Sequence, residues 1–303
     1  MTRVAAIDCG TNSIRLLVAD LPPDGGPLAD VTRQMEIVRL GQGVDRTGVL
    51  APAAIERTRV ALAGYAEQIR RLGAVRVRMV ATSASRDARN AEDFRAMVTG
   101  ILGAPPEVVS GDEEARLSFV GAVRGLPPAR NLVVDIGGGS TEFVVGGTDV
   151  ERAISVDIGC VRMTERHLHD DPPTAAQIAA ARADIEAAVD RALEVVDGHH
   201  PERVVGLAGS VTTVAAIALE LPGYQPECTH HAWVSTVDCA RIADRLLGMT
   251  RAQRLAVPVM HPGRADVIGA GALILRTILE RAGAAGVVAS EHDILDGIAW
   301  SLA

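Results

Sequence analysis

The sequence predicts a mixed α/β protein built from two copies of one supersecondary unit. Three observations lead there. Twice, a short apolar run ends at an aspartate and enters a small polar turn and a second strand, at Asp8 and again at Asp135. Segments with helical apolar spacing alternate with such strands along the chain. The composition, 48% hydrophobic and 22% charged over 303 residues, is that of a protein with a sizeable core rather than a disordered one.

The first copy opens with the apolar run Val4–Ile7, Asp8, the turn Gly10-Thr11-Asn12-Ser13 and a second run, Leu16–Ala19. Residues 21–30, rich in Pro, Gly and Asp, read as a loop, and Glu36–Leu40 as a third strand. Ile55, Leu62, Tyr65, Ile69 and Leu72 keep helical spacing over Pro52–Leu72, and Gly73 ends the helix. Val75, Val77 and Met79 alternate with Arg76 and Arg78 as in a half-exposed strand. Helix Ala91–Leu102 and strand Glu107–Val109 follow. Ser110 and Glu113 have capping-box spacing and open a helix over 111–124. Gly125-Leu126-Pro127-Pro128 then breaks the chain and marks the domain boundary.

The second copy has the run Leu132–Val134, Asp135, the turn Gly137-Gly138-Gly139-Ser140-Thr141, and strands at Glu142–Val145 and Ala153–Val156. A long helix over Thr174–Val196 begins at a Thr174/Gln177 capping box. Strand Val204–Leu207 leads through the turn Ala208-Gly209-Ser210 into helix Val211–Leu219. Helices around 238–247, 266–281 and 292–302 close the chain.

Charge and composition exclude several functions. The net charge is −8 and the pI about 5.5, which argues against a nucleic-acid or anionic-membrane binder. Seven aromatic residues are too few for recognition by base stacking. The longest uncharged stretch, Val204–Leu219, is too short to span a bilayer. Cys9, Cys160, Cys228 and Cys239 form no CxxC and no dense framework, which suits a reducing compartment. With no signal peptide at Met1–Val4, the expected location is cytoplasmic. The chain has no lysine, so every cationic side chain that meets an oxyanion is a guanidinium fork, histidine aside.

The two turns are suited to anionic oxygen. Gly10, Thr11, Asn12 and Ser13 offer amide and side-chain donors, with Arg15 nearby. Gly137, Gly138 and Gly139 remove every Cβ that would hold an oxyanion off the backbone, and Ser140 and Thr141 add hydroxyls. An ordinary tight hairpin would explain one such turn; two in a duplicated setting favour phosphate binding. Gly209 and Ser210, opening a helix, are a weaker third candidate. Asp8 and Asp135 beside phosphates call for a hard divalent cation, Mg²⁺ foremost, with Glu142 joining them. The alternative for each aspartate is a turn cap. Glu113 has its capping task, so Glu114 is free to orient and deprotonate a water, or else serves the helix dipole. From Arg57 to Arg95 nine arginines face four acids. Much of this reads as a solvated face, with Arg86 extending a phosphate track. The histidine pairs lack the spacing of metal ligands and read as exposed loop residues.

These two turns, together with Ser110–Leu117, the segment Thr82-Ser83-Ala84 with Arg86 and Asn90, and Arg264–Ile268, resemble the exopolyphosphatase / guanosine pentaphosphate phosphohydrolase (Ppx/GppA) family of the actin–hexokinase–Hsp70 superfamily. The resemblance runs nearly end to end. It implies two duplicated ribonuclease-H-like, actin-like domains flanking an interdomain cleft. The domains would be 1–124, with the last helix 291–303 packing back on it, and 125–290. It implies hydrolysis of the terminal phosphoanhydride of inorganic polyphosphate, with Mg²⁺ or alternatively Mn²⁺. By the same resemblance Glu114 is the catalytic acid, Arg86 a phosphate contact, and Asp135 and Glu142 metal ligands. A homodimer and a link to the stringent response are further implications. Cys9 and Thr11 depart from the family's usual Gly or Ser, at positions that mainly supply backbone. The chain also ends before the C-terminal helical region of longer members, which favours short polyphosphate. Three other readings stay open: guanosine pentaphosphate hydrolysis, an actin-superfamily ATPase or kinase, and a polyphosphate-binding regulator without catalysis.

Overall fold

Strand β1 (Thr2–Cys9) is buried from Val4 onward because it is the middle strand of a five-stranded sheet in the computed structural model, which describes residues 1–23 and 26–303. Its neighbours are β2 (Ser13–Leu21), antiparallel, and β4 (Arg76–Ala81), parallel, after the edge strand β3 (Ala29–Ile37) and the helices α1 (Val44–Thr47) and α2 (Pro52–Leu72). Helices α3 (Ser83–Asp87) and α4 (Ala91–Leu102), the short strand β5 (Glu107–Val108) and helix α5 (Gly111–Val123) complete this stretch. The sheet order is β3-β2-β1-β4-β5.

The next stretch contains β6 (Asn131–Ile136), β7 (Thr141–Gly146), β8 (Val150–Val156), α6 (Cys160–His167), α7 (Ala175–Val196), β9 (Arg203–Leu207) and α8 (Ala208–Ala218). It continues through α9 (Pro226–Thr229), β10 (Trp233–Ser235), α10 (Thr236–Leu247), α11 (Arg251–Leu255), a 3₁₀ turn (Pro262–Arg264), α12 (Ile268–Ala282) and β11 (Gly286–Ala289). Its sheet order is β10-β11-β9-β6-β7-β8. Read from β8, that repeats the first sheet's order, with an antiparallel β10 added at the far edge. Three antiparallel strands followed by parallel ones, twice over, is the ribonuclease-H-like, actin-like arrangement that the resemblance implies.

Contacts divide the chain into Met1–Leu126 with Ile294–Ala303, and Pro127–Asp293. In the first unit the sheet is covered on both faces, which is why β1 reads as a continuous apolar run. Ala5 and Ile7 face Leu62, Tyr65 and Phe94, whereas Val4 and Ala6 face Leu117 and the final helix α13 (Ile294–Trp300). Gly297 lies against the Leu117 carbonyl, where a Cβ would fall 2.0 Å from the oxygen, so only glycine permits this approach of α13 to α5. The buried Asp296 carboxylate takes the Arg33 guanidinium at 2.6 Å. In the second unit Leu132, Val134, Phe143, Ile185, Val204 and Leu273 share one core.

Four local expectations need correction. The third strand is Ala29–Ile37, not Glu36–Leu40, and it takes over part of the segment read as a loop, of which Asp24 and Gly25 lie outside the described residues. Its sequence is polar because it is a largely exposed edge, held by ladder bonds to β2 rather than by apolar burial. The Ser110 cap is half a box: its hydroxyl accepts from Glu113 N–H, but the Glu113 carboxylate pairs with Arg78 at 3.5 Å. Helix α8 begins at Ala208, directly at the strand end, so Gly209 and Ser210 lie in its first turn. The last helix is shorter than 292–302, because Ser290 and His292 hydrogen-bond each other in a turn ahead of it.

Candidate active site

Both expected turns are closed by the same bond. Gly10 N–H donates to the Ser13 carbonyl at 3.0 Å, and Gly137 N–H donates to the Ser140 carbonyl at 3.0 Å. In each, the outward carbonyls are taken by a segment lying behind the turn. The Asn12 carbonyl accepts from Val38 and Arg39, and the Thr11 carbonyl from Gly41. The Gly137 and Gly138 carbonyls accept from the first amides of α6, and the Gly139 carbonyl from Arg162 Nε at 2.7 Å. In a trans peptide the N–H points opposite to the preceding carbonyl. The amides of Asn12, Gly138, Gly139 and Ser140 therefore face away from those segments, and they have no partner among the described residues. In the second turn these are three successive amides, the arrangement of an anion-binding nest, and in the first turn the Asn12 amide is the counterpart.

A glycine stands behind each nest. A Cβ on Gly159 would fall 2.4 Å from the Gly138 carbonyl group, and one on Gly41 would fall 2.4 Å from Thr11 Cγ2. Thr141 belongs to the same support. It is fully buried and its hydroxyl donates to the Ile158 carbonyl, so it anchors the turn rather than facing a phosphate.

The duplicated hairpins differ at one telling position. Asp8 lies opposite Arg15 in the β1–β2 ladder, and Asp135 lies opposite Glu142 in the β6–β7 ladder. Arg15 donates to Asp8 Oδ2 from Nε at 3.0 Å and Nη2 at 2.7 Å. Asp8, read as a metal ligand, and Arg15, read as a phosphate contact, are thus engaged with each other. Asp135 and Glu142 are both buried, and Glu142 accepts from Ser155 at 2.8 Å. Two acids directly opposite in a ladder repel unless a proton or cation lies between them. They are hard oxygen donors, which suits a divalent cation that keeps waters and phosphate oxygens in its remaining positions. No group of three or more His, Cys, Asp or Glu side chains placed to hold a metal ion occurs among the described residues.

Glu114 is buried in the first turn of α5, and its carboxylate meets Arg86 Nη1 at 3.2 Å. The same Nη1 donates to the Val109 carbonyl at 2.9 Å. Arg86 sits on α3, whose first residue, Ser83, hydrogen-bonds Thr11 Oγ1 at 2.8 Å. One chain of contacts therefore runs from the first nest to Glu114. Arg86, expected as a phosphate contact, meets the Glu114 carboxylate and the Val109 carbonyl through Nη1.

In the second unit the weak third candidate gains a neighbour that the sequence did not reveal. A Cβ on Gly209 would fall 2.3–2.5 Å from the Arg264 guanidinium, which lies flat over that glycine and donates to Thr213 Oγ1 at 3.3 Å. Ser210 is buried against Gly271 and hydrogen-bonds Cys160. Burial pushes the Cys160 thiol up to about 11, against the pull of Ser210 and of the Arg264 charge. It stays protonated at neutral pH and is no nucleophile.

The sequence matches the Ppx/GppA phosphatase family over residues 18–301. The chain belongs to that family. It is 52% identical to exopolyphosphatase 2 of Mycobacterium tuberculosis over 316 aligned positions, covering 100% of this chain and 99% of the relative. A crystal structure of an exopolyphosphatase-like protein superposes with a TM-score of 0.94 at 42% identity, covering 99% and 97% of the two chains. The Aquifex aeolicus Ppx/GppA member superposes with a TM-score of 0.83 at 31% identity, covering 99% and 98%. As a Ppx/GppA chain, this one has no helix among the described residues long and apolar enough to cross a membrane.

Proposed function

We propose that this Ppx/GppA protein is an exopolyphosphatase that releases terminal phosphate from inorganic polyphosphate by in-line attack of water. The observation that carries the reading is the pair of glycine turns with their carbonyls turned away, which leaves three successive amides open to an oxyanion in the second turn and the Asn12 amide in the first. Such donors are fixed before the substrate arrives, so they stabilise charge that develops on the transferred phosphoryl group without reorganising.

Glu114 orients the attacking water and takes its proton, and Arg86 fixes the carboxylate in place for that step. Asp135 and Glu142 hold a divalent cation, Mg²⁺ with Mn²⁺ as the alternative, which when bound neutralises phosphoryl oxygens. Asp8, the third acid of that set, meets Arg15 through Oδ2. Gly209 and Ser210 offer a further phosphate site beside Arg264.

The deciding experiment measures phosphate release from triphosphate, long polyphosphate, guanosine pentaphosphate and ATP, with Mg²⁺ and no acceptor. The reading requires the polyphosphates to be turned over fastest. Faster release from guanosine pentaphosphate or ATP would replace it with an alarmone hydrolase or an ATPase.

A further inference from the structure

The arginine-rich stretch from Arg57 to Arg95 is only partly explained by the reaction. Most of its guanidiniums have local partners. Arg57 donates to Val38, Arg59 pairs with Glu56, Arg76 with the Leu302 carbonyl, Arg78 with Glu107, Arg86 with Glu114, Arg89 with Thr47 and Arg95 with Glu92. Arg70 and Arg71 have none among the described residues. Arg70 lines a cavity of about 420 Å³ in the first unit.

The cavity has an identifiable cause. Pro105 and Pro106 have no N–H to give a ladder, so β5 starts only at Glu107 and pairs with β4 only at Val80 and Ala81. The half of β4 from Arg76 to Met79 is left without a neighbour on that side. Ile69 of α2, Val77 and Met79 of β4, and Ile101 and Leu102 at the end of α4 form an apolar wall there. Val77 remains 45% exposed. The three charged lining residues are Arg70, Arg78 and Glu107, and Arg78 is held by Glu107 at 2.7 Å and by Glu113 at 3.5 Å. The Arg70 guanidinium is the lining cation left without a partner among the described residues, at the edge of an oily hollow.

We propose that this hollow binds a small amphiphilic carboxylate, with its apolar body on the β4–α4 wall and its head on Arg70. Its volume of about 420 Å³ falls within the usual range for small-ligand pockets. Polyphosphate is a poor occupant, being all oxygen and multiply charged against a wall of carbon. The hollow uses the N-terminal half of β4, whereas the first nest contacts the segment that follows its C-terminal end, so the two sites are separate.

The test is titration calorimetry on the full chain with octanoate, and with octanol and octylammonium as size-matched probes of neutral and opposite charge. Octanoate binds saturably, octanol about tenfold more weakly and octylammonium weaker still. Arg70→Ala, on an exposed side chain, removes the preference for octanoate over octanol. Ala104→Trp, at the exposed lip, fills the hollow and weakens both. Phosphate release from polyphosphate has an unchanged kcat in either variant. Absence of saturable octanoate binding, equal binding of octylammonium, or an undiminished preference in Arg70→Ala would overturn the proposal. None of these outcomes touches the assignment of the reaction, which is measured separately.

Discussion

Asp135 and Glu142 stand directly opposite each other in the β6–β7 ladder, both buried, at the position where the first unit pairs Asp8 with Arg15. Duplication kept the hairpin and its turn, while the cross-strand partner of the aspartate changed from a base to an acid. One copy sets a guanidinium across from the aspartate, and the other sets a second buried carboxyl there.

Removing one of the acids should therefore have opposite effects with and without metal. Glu142→Gln keeps an acceptor for Ser155 and relieves the repulsion, so the metal-free protein gains about 1 kcal/mol. It also binds Mg²⁺ at least about tenfold more weakly, and Asp135→Asn does the same. Thermal melts with and without Mg²⁺ check both halves. An unchanged Mg²⁺ titration in both variants would remove these residues from the metal site.

Glu114→Gln should lower kcat by roughly 10²–10⁴ with little change in KM, since a positioned base acts on the step and not on binding. Arg86→Ala should also lower kcat, because its guanidinium holds that carboxylate and the Val109 carbonyl. A variant affected in KM alone would return Arg86 to a phosphate-binding role. Steady-state kinetics on triphosphate separates the two.

Glycines at different places should respond with opposite signs. Gly159→Ala drives a Cβ into the Gly138 backbone and should displace the second nest, raising KM and reducing stability by about 1–3 kcal/mol. Gly64→Ala, exposed in α2 with nothing within 4 Å of the new Cβ, should stabilise by about 1 kcal/mol. Urea unfolding of the pair provides the comparison.

Iodoacetamide should label Cys228 alone in the native protein, since Cys9, Cys160 and Cys239 are buried. The raised Cys160 thiol also gives a pH dependence. Its folded form keeps the proton longer than the unfolded one, so its contribution is complete below about pH 9 and declines between the ordinary thiol value of 9.0 and about 11. That amounts to about 2–3 kcal/mol. Cys160→Ala should lose correspondingly less stability across this window, as read by urea midpoints at pH 8 and pH 10.5.

The sequence by itself determined the duplicated hairpins, the two turns, the Thr174 capping box and the Ser110 hydroxyl cap, because each rests on neighbours within a few residues. Apolar periodicity and glycine chemistry are local, and they survive folding unchanged. The tertiary structure alone decided that Arg86 meets Glu114, that Arg15 closes on Asp8, that Arg264 covers Gly209, and that a polar segment becomes strand β3. Those contacts join side chains whose reach depends on how sheets and helices pack. A guanidinium has the same sequence signature whether it meets a phosphate, a carboxylate or a bare glycine.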